Sequence, residues 1–130
     1  MINALILVGK LVNEPEIKEA ANGKNVCEVT LACKRPFKNM NNTYDTDFIK
    51  VTFWEYLAIN INEYCHKGAT IGVRGRLQTR RINITDKFLD VIEVIGEQLI
   101  FIGKPLPKME DKNEASKDEI IINAVSEPTL

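Results

Sequence analysis

The sequence predicts an all-β domain carrying one helix, on three observations. Apolar and polar residues alternate with period two through most of the first hundred positions, the mark of half-buried strands. The period changes to three and four only once, over residues 55–66. Asn22-Gly23, where both residues tolerate positive φ, supplies a hairpin signal between two strand-like runs.

The elements follow in order. Residues 4–8 form an apolar strand that stops near Pro15. After the Asn22-Gly23 turn, Cys27, Val29, Leu31 and Cys33 alternate with Glu28, Thr30, Ala32 and Lys34, a strand half buried against a core. Residues 38–46, with Asn39, Asn41, Asn42 and Asp45, read as a polar loop. In residues 48–54, Ile49, Val51 and Phe53 share the core parity, while Phe48, Lys50, Thr52 and Trp54 share the other. Leu57, Ala58, Ile61, Tyr64 and Cys65 then fall at helical spacing, with Gly68 placed to cap the C-terminus. Over residues 70–82, Ile71, Val73 and Leu77 lie on one parity and Arg74, Arg76, Gln78 and Arg80 on the other; Gly75 interrupts the apolar side. A loop around Thr85, Asp86 and Lys87 leads to residues 88–102, whose β-branched density predicts a strand either buried on both faces or paired with another subunit.

Two of these strands carry the functional signal. A sheet face with an aromatic at either end and a cation and a hydroxyl between suits stacked bases and phosphates. Three arginines on one strand face repel one another, and a polyanion across them relieves that repulsion. Grooves for single-stranded nucleic acid combine these two elements. The competing reading is a solvated face with edge charges that discourage aggregation.

Composition bounds the rest. A chain of 130 residues with 45% hydrophobic content supports one core. The net charge of -1 is unevenly spread: residues 1–103 hold 13 Lys and Arg against 12 Asp and Glu, and residues 104–130 hold 4 against 6. The case for a polyanion partner thus rests on where the arginines sit. The N-terminal apolar run lacks a basic flank and is far shorter than the ~20 residues that cross a bilayer, so no membrane or targeting role is expected and the location is cytoplasmic. Cys27, Cys33 and Cys65 follow no metal or disulfide spacing and are expected as buried free thiols, with no cofactor or metal. Catalysis is not expected either. His66, the single histidine, sits at the helix end where the dipole accounts for it, and Asp45 and Asp47 belong to no convergent acid cluster.

Five strands with a helix between the third and fourth is the order of an OB-fold, a five-stranded Greek-key β-barrel that binds oligonucleotides or oligosaccharides. It should occupy residues 1–103, followed by an acidic, flexible, disordered C-terminal tail over residues 104–130. Ile120, Ile121 and Ile122 break the tail's pattern as a docked strand, a partner-binding segment or an apolar patch.

The chain also resembles the bacterial single-stranded DNA-binding protein family across residues 1–102. The likeness is carried by Asn3, Leu7-Val8-Gly9-Lys10-Leu11, Pro15-Glu16, Asp47-Phe48-Ile49, Trp54, Leu57-Ala58, Tyr64, Lys67-Gly68 and Gly75-Arg76-Leu77-Gln78-Thr79-Arg80. The resemblance implies base stacking by Phe37, Phe48 and Trp54, and a basic groove at or beside Lys34, Arg35, Lys50, Arg74, Arg76, Arg80 and Arg81. For Phe37 the alternative is a loop aromatic covering the core edge; for Trp54 it is packing at the strand end.

The family likeness further implies sequence-independent binding of single-stranded DNA in replication, recombination and repair, and a homotetramer. Ile82 stands where many members place an aromatic, so stacking there should be weak or absent. Members that recruit replication or recombination proteins end in an acidic run closed by Pro-Phe, whereas this chain ends Ser126-Glu127-Pro128-Thr129-Leu130. A short paralogue or a member encoded on a phage or plasmid is the expectation. The rival within binding modules is a primosomal or plasmid replication accessory acting mainly through protein contacts.

Overall fold

The computed structural model describes residues 1–102. The expectations for residues 104–130, Ile120 to Ile122 included, lie outside the described residues. Six strands and one helix occur in the order β1 (Leu5–Leu11), β2 (Lys18–Glu19), β3 (Asn25–Lys38), β4 (Tyr44–Trp54), α1 (Tyr56–Tyr64), β5 (Thr70–Ile84) and β6 (Lys87–Phe101). The sheet runs β1-β5-β6-β4-β3-β2 and closes because β1 also pairs with β3 at Lys10 and Leu11. This is the barrel expected, with the helix between its third and fourth long strands. The sixth strand, β2, is two residues long, too short for any periodicity to reveal; it hydrogen-bonds to β3 across the hairpin in which Gly23 adopts φ 82°.

The core follows the apolar parity. Val29, Leu31, Val51, Phe53, Ile71, Val73 and Leu99 are fully buried together with Ile61 from the helix. Each such side chain contributes roughly 1.5–3 kcal/mol by leaving water. A Cβ on Gly96 would enter the Phe53 ring, so the absence of a side chain there is what seats the ring.

Four details depart from expectation. The helix ends at Tyr64, and Gly68 does not cap it: Cys65 turns into extended backbone, and Gly68, at φ 92°, donates its N–H to the Leu11 carbonyl at 2.8 Å. His66 therefore lies beyond the helix, with Nδ1 3.7 Å from a Glu14 carboxylate oxygen, whose other oxygen accepts the Lys67 N–H at 3.1 Å. The loop expected over residues 38–46 is narrower, a turn over residues 39–43 with Lys38 and residues 44–46 already in strand; there the Asn39 side chain accepts from the Asn41 N–H, the Thr43 N–H and the Thr43 hydroxyl and donates to Asp45. Cys27 and Cys65 are buried thiols, as expected, but Cys33 is only half-buried.

The β5–β6 hairpin projects beyond the barrel. Its turn is two residues, Thr85 at φ 50° and Asp86 at φ 64°, with Ile84 paired to Lys87. Along this arm Phe88, Leu89 and Ile92 are exposed, so within one chain the first half of β6 is not buried on both faces. Among the described residues, no helix is long and apolar enough to cross a membrane.

Candidate nucleic-acid interface

The site is assembled by strand register. Residues paired across neighbouring strands project from the same side of a sheet. On β4, Thr52 lies opposite Glu28 of β3 and beside Ile95 of β6 in a short parallel contact, and Ile95 lies opposite Arg76 of β5. Glu28, Thr52, Ile95 and Arg76 thus form one row across the outer surface of four strands. By alternation, Phe48, Lys50 and Trp54 extend the face along β4, and Arg74, Gln78 and Arg80 extend it along β5. The aromatic strand and the arginine strand share one face with β6 between them.

Each element leaves its residues differently presented. Phe48 is 66% exposed and Lys50 is exposed as well, whereas Trp54, opposite Val26, is half-buried at the strand end. Thr52, expected as an exposed hydroxyl, retains only 8% exposure because neighbours on both β3 and β6 flank it. It serves as floor rather than contact.

The arginines do not repel one another unrelieved, as the sequence alone suggested. Arg76 Nε lies 3.4 Å from Glu97, and Arg76 donates to the Gln78 side-chain oxygen at 2.8 Å. Gln78 donates onward to Glu93 at 3.0 Å, and Arg80 Nε sits 3.5 Å from the same carboxylate. Carboxylates contributed by β6 therefore alternate with the cations of β5. Arg74 is exposed and takes part in none of the ion pairs among the described residues.

The β3–β4 arm adds a second cluster. Lys34, paired with Thr46, and Lys38, paired with Tyr44, bring their ammonium groups to 5.3 and 5.9 Å from the Tyr44 ring centroid. Phe37 is 62% exposed on this arm and does not cover the core edge. The opposite flank of the face is acidic on balance: a groove of about 560 Å³ between residues 13–18 and β3 is lined by Glu14, Glu16 and Glu28 against one cation, Lys18.

The single-strand binding protein family matches residues 2–102. The chain belongs to that family. It is 38% identical over 115 residues to single-stranded DNA-binding protein 1 of Staphylococcus aureus (strain MSSA476), covering 88% of this chain and 72% of the relative. To single-stranded DNA-binding protein B of Bacillus subtilis (strain 168) it is 37% identical over 113 residues, covering 85% of this chain and all of the relative (100%). Its fold matches the solved structure titled Plasmodium falciparum SSB complex with ssDNA, with TM-score 0.68 and 26% identity over 79% of this chain and 96% of that one.

Within this member of the single-strand binding family, the ten residues singled out by sequence are not all on one surface. Phe48, Lys50, Trp54, Arg74, Arg76 and Arg80 share the face, and Lys34 continues it onto the arm. Arg35 and Arg81 have the opposite parity. Arg35 makes a bidentate contact with Asp47, at 3.0 and 2.9 Å, with Asp45 3.7 Å away. These hydrogen bonds hold the Asp47 carboxyl below its ordinary range and raise the guanidinium above its own. Arg81 donates to Asp90 at 3.0 Å and lies 5.8 Å from the Phe88 ring centroid. Ile82 is half-buried opposite Leu89, an aliphatic pair at the place where an aromatic was expected to be missing.

Two residues of this surface escaped the sequence reading, Tyr44 and Lys38, because the asparagine-rich run masked the strand ends around them. The available signal was parity: Tyr44, Thr46 and Phe48 follow one another at period two.

Proposed function

We propose that this chain binds single-stranded DNA without sequence preference, stacking bases on Phe48 and Trp54 and holding the backbone with Lys50, Arg74, Arg76, Arg80 and Lys34. The observation that carries this reading is the row joining Thr52, Ile95 and Arg76, which sets aromatics and cations on one surface. Stacking is sequence-tolerant because every base has a π-face. The acidic groove on the β3 side disfavours phosphate there, so the strand should run over β4, β6 and β5. Phe37, Arg35 and Arg81 act at the margins, from the arms. The protein works by occupancy rather than catalysis, coating exposed strands in the cytoplasm during replication, recombination and repair.

A homotetramer is part of this proposal. Along Leu5–Leu11, Ile6 and Val8 are exposed, and Val8 lies in one row with Gly72 and the exposed Ile100. The β5–β6 arm presents Leu77, Phe88 and Ile92 to solvent as well. Apolar surface of this kind suits burial between copies, and light scattering would give the assembled mass.

The deciding experiment is titration of the fluorescence of Trp54, the single tryptophan, with oligo-dT at low and moderate salt, with duplex DNA as control. Quenching by oligo-dT that weakens with salt and is absent with duplex is the expected result. No quenching at either salt, together with no mobility shift, would overturn the reading.

A further inference from the structure

We propose that Tyr44, clasped by Lys34 and Lys38, is an additional nucleotide-binding position, taking one base on its ring and the adjoining phosphate on the two ammonium groups; this rests on the single-strand reading above. Tyr44 opens β4 on the same parity as Thr46 and Phe48, so its ring continues the stacking face onto the arm. It lies four positions before Phe48 along the strand, about 13 Å. It keeps 46% of its surface exposed while paired with Lys38 across the strands.

The electrostatic setting differs from that of the arginines. Among the described residues, Arg35, Arg76, Arg80 and Arg81 all face carboxylates, whereas neither Lys34 nor Lys38 takes part in an ion pair. Their ammonium groups rest instead near the Tyr44 ring. A cation lying near an exposed ring is held weakly. A base is flat, larger and better matched to the π-face, so it displaces the ammonium, which then swings to the phosphate that arrives with the base. No carboxylate has to be desolvated or released for this exchange.

The arm is built to hold the position. Asn39 accepts three hydrogen bonds from residues 41 and 43, its backbone N–H donates to the Thr43 carbonyl at 2.7 Å, and Asn42 takes φ 63° to close the turn. These contacts fix the residue immediately before Tyr44, so the ring is presented by an ordered strand end. A site on a strand is held more closely than one on a loop.

The test uses the full-length protein with a series of oligo-dT lengths. Tyr44→Ala should match wild type on the shortest oligomers that still bind and lose about 5- to 100-fold affinity on those long enough to reach the arm; Tyr44→Phe should keep wild-type affinity at every length. The pair Lys34→Gln and Lys38→Gln, combined, should flatten the log-log salt slope by about 0.7 on the long oligomers only, because the two ammonium groups hold one phosphate between them. Trp54→Ala serves as the reference, weakening binding at all lengths. If Tyr44→Ala equals wild type at every length while Trp54→Ala binds weakly, the Tyr44 position is refuted and the general reading stands. If neither variant changes affinity, both fall.

Discussion

Thr52 on β4 lies directly beside Ile95 on β6, and Ile95 faces Arg76 on β5. These two contacts place the stacking strand and the cationic strand on one surface without making them neighbours. They stand two strand spacings apart, about 10 Å, so base contacts and backbone contacts fall on different strands. Substitutions on each strand should therefore act on different parts of the binding free energy.

Trp54→Ala is expected to weaken oligo-dT binding by about 1–3 kcal/mol, the usual contribution of one stacked base, with the salt dependence unchanged. Arg76→Ala should instead reduce the log-log salt slope by about 0.7, one phosphate contact on a single strand. Titrations at several salt concentrations separate the two. If both variants lose only thermal stability and keep full affinity, the face has been assigned wrongly.

The carboxylates among the arginines set a second expectation. Glu97 lies against Arg76, and Glu93 against Arg80. A phosphate has to displace each acid or share its cation. Glu93→Gln and Glu97→Gln should therefore tighten single-strand binding, by roughly 3- to 10-fold each at low salt, with the gain shrinking as salt screens the interaction. Unchanged or weaker binding would mean that the acids orient the guanidinium groups more than they compete for them.

Much of this surface was legible in the sequence because strand parity is a local property. The alternation of Ile49, Val51 and Phe53 against Phe48, Lys50 and Trp54 survives intact, as does that of Ile71 and Val73 against Arg74 and Arg76. What escaped is set by partners distant in the chain. Thr52 is covered because β6 comes alongside β4, and Glu93 and Glu97 meet the arginines because β6 pairs with β5; no periodicity within one strand encodes either fact. The family resemblance supplied site roles to Arg35 and Arg81 that parity alone would have placed on the other side. Tyr44 was missed for a local reason: Asn39, Asn41 and Asn42 do lie in a turn, but the loop read from them was carried on to residue 46, whereas the turn that Asn39 closes ends at residue 43 and Tyr44 already opens β4.

Gly75 sits where β6 gains one residue over β5: Arg74 faces Gln98 and Gly75 faces Gly96, leaving Glu97 as the bulge. A Cβ at position 75 would meet the Ile95 carbonyl, a backbone atom that cannot yield without moving β6. Gly75→Ala should cost about 1–3 kcal/mol in urea unfolding. Because Ile95 forms the floor between Thr52 and Arg76, affinity should fall as well. Wild-type stability would show that the bulge adjusts freely.

The β5–β6 turn offers the reverse change. Thr85 and Asp86 both adopt positive φ, at 50° and 64°, in a two-residue hairpin turn that favours Asn-Gly, and a β-branched residue fits that region poorly. Thr85→Asn with Asp86→Gly should raise stability by about 0.5–1 kcal/mol, read as a higher urea midpoint with unchanged slope. A lowered midpoint would mean that the Thr85 or Asp86 side chain makes a stabilising contact that outweighs backbone strain.

The last expectation concerns pH. Burial, and then the Asp47 carboxylate, push the half-buried Cys33 thiol above its ordinary value, while Arg35 holds Asp47 below the usual carboxylate range. For Asp47 the sign follows directly: its lowered value means the pairing with Arg35 supports the fold at neutral pH and is lost as pH falls through that lowered value. For Cys33 the charged form is disfavoured, so alkylation by iodoacetamide at about pH 8 should be slower than for a free thiol, whose value is about 8.5. Asp47→Asn removes the negative charge and releases Arg35 nearby, and both effects favour thiolate. Peptide mapping of the alkylated chain should show the Cys33 rate profile move to lower pH in Asp47→Asn, with Cys27 protected in both proteins. A profile that stays in place would show that burial alone sets the thiol and that the Asp47 carboxylate is screened from it.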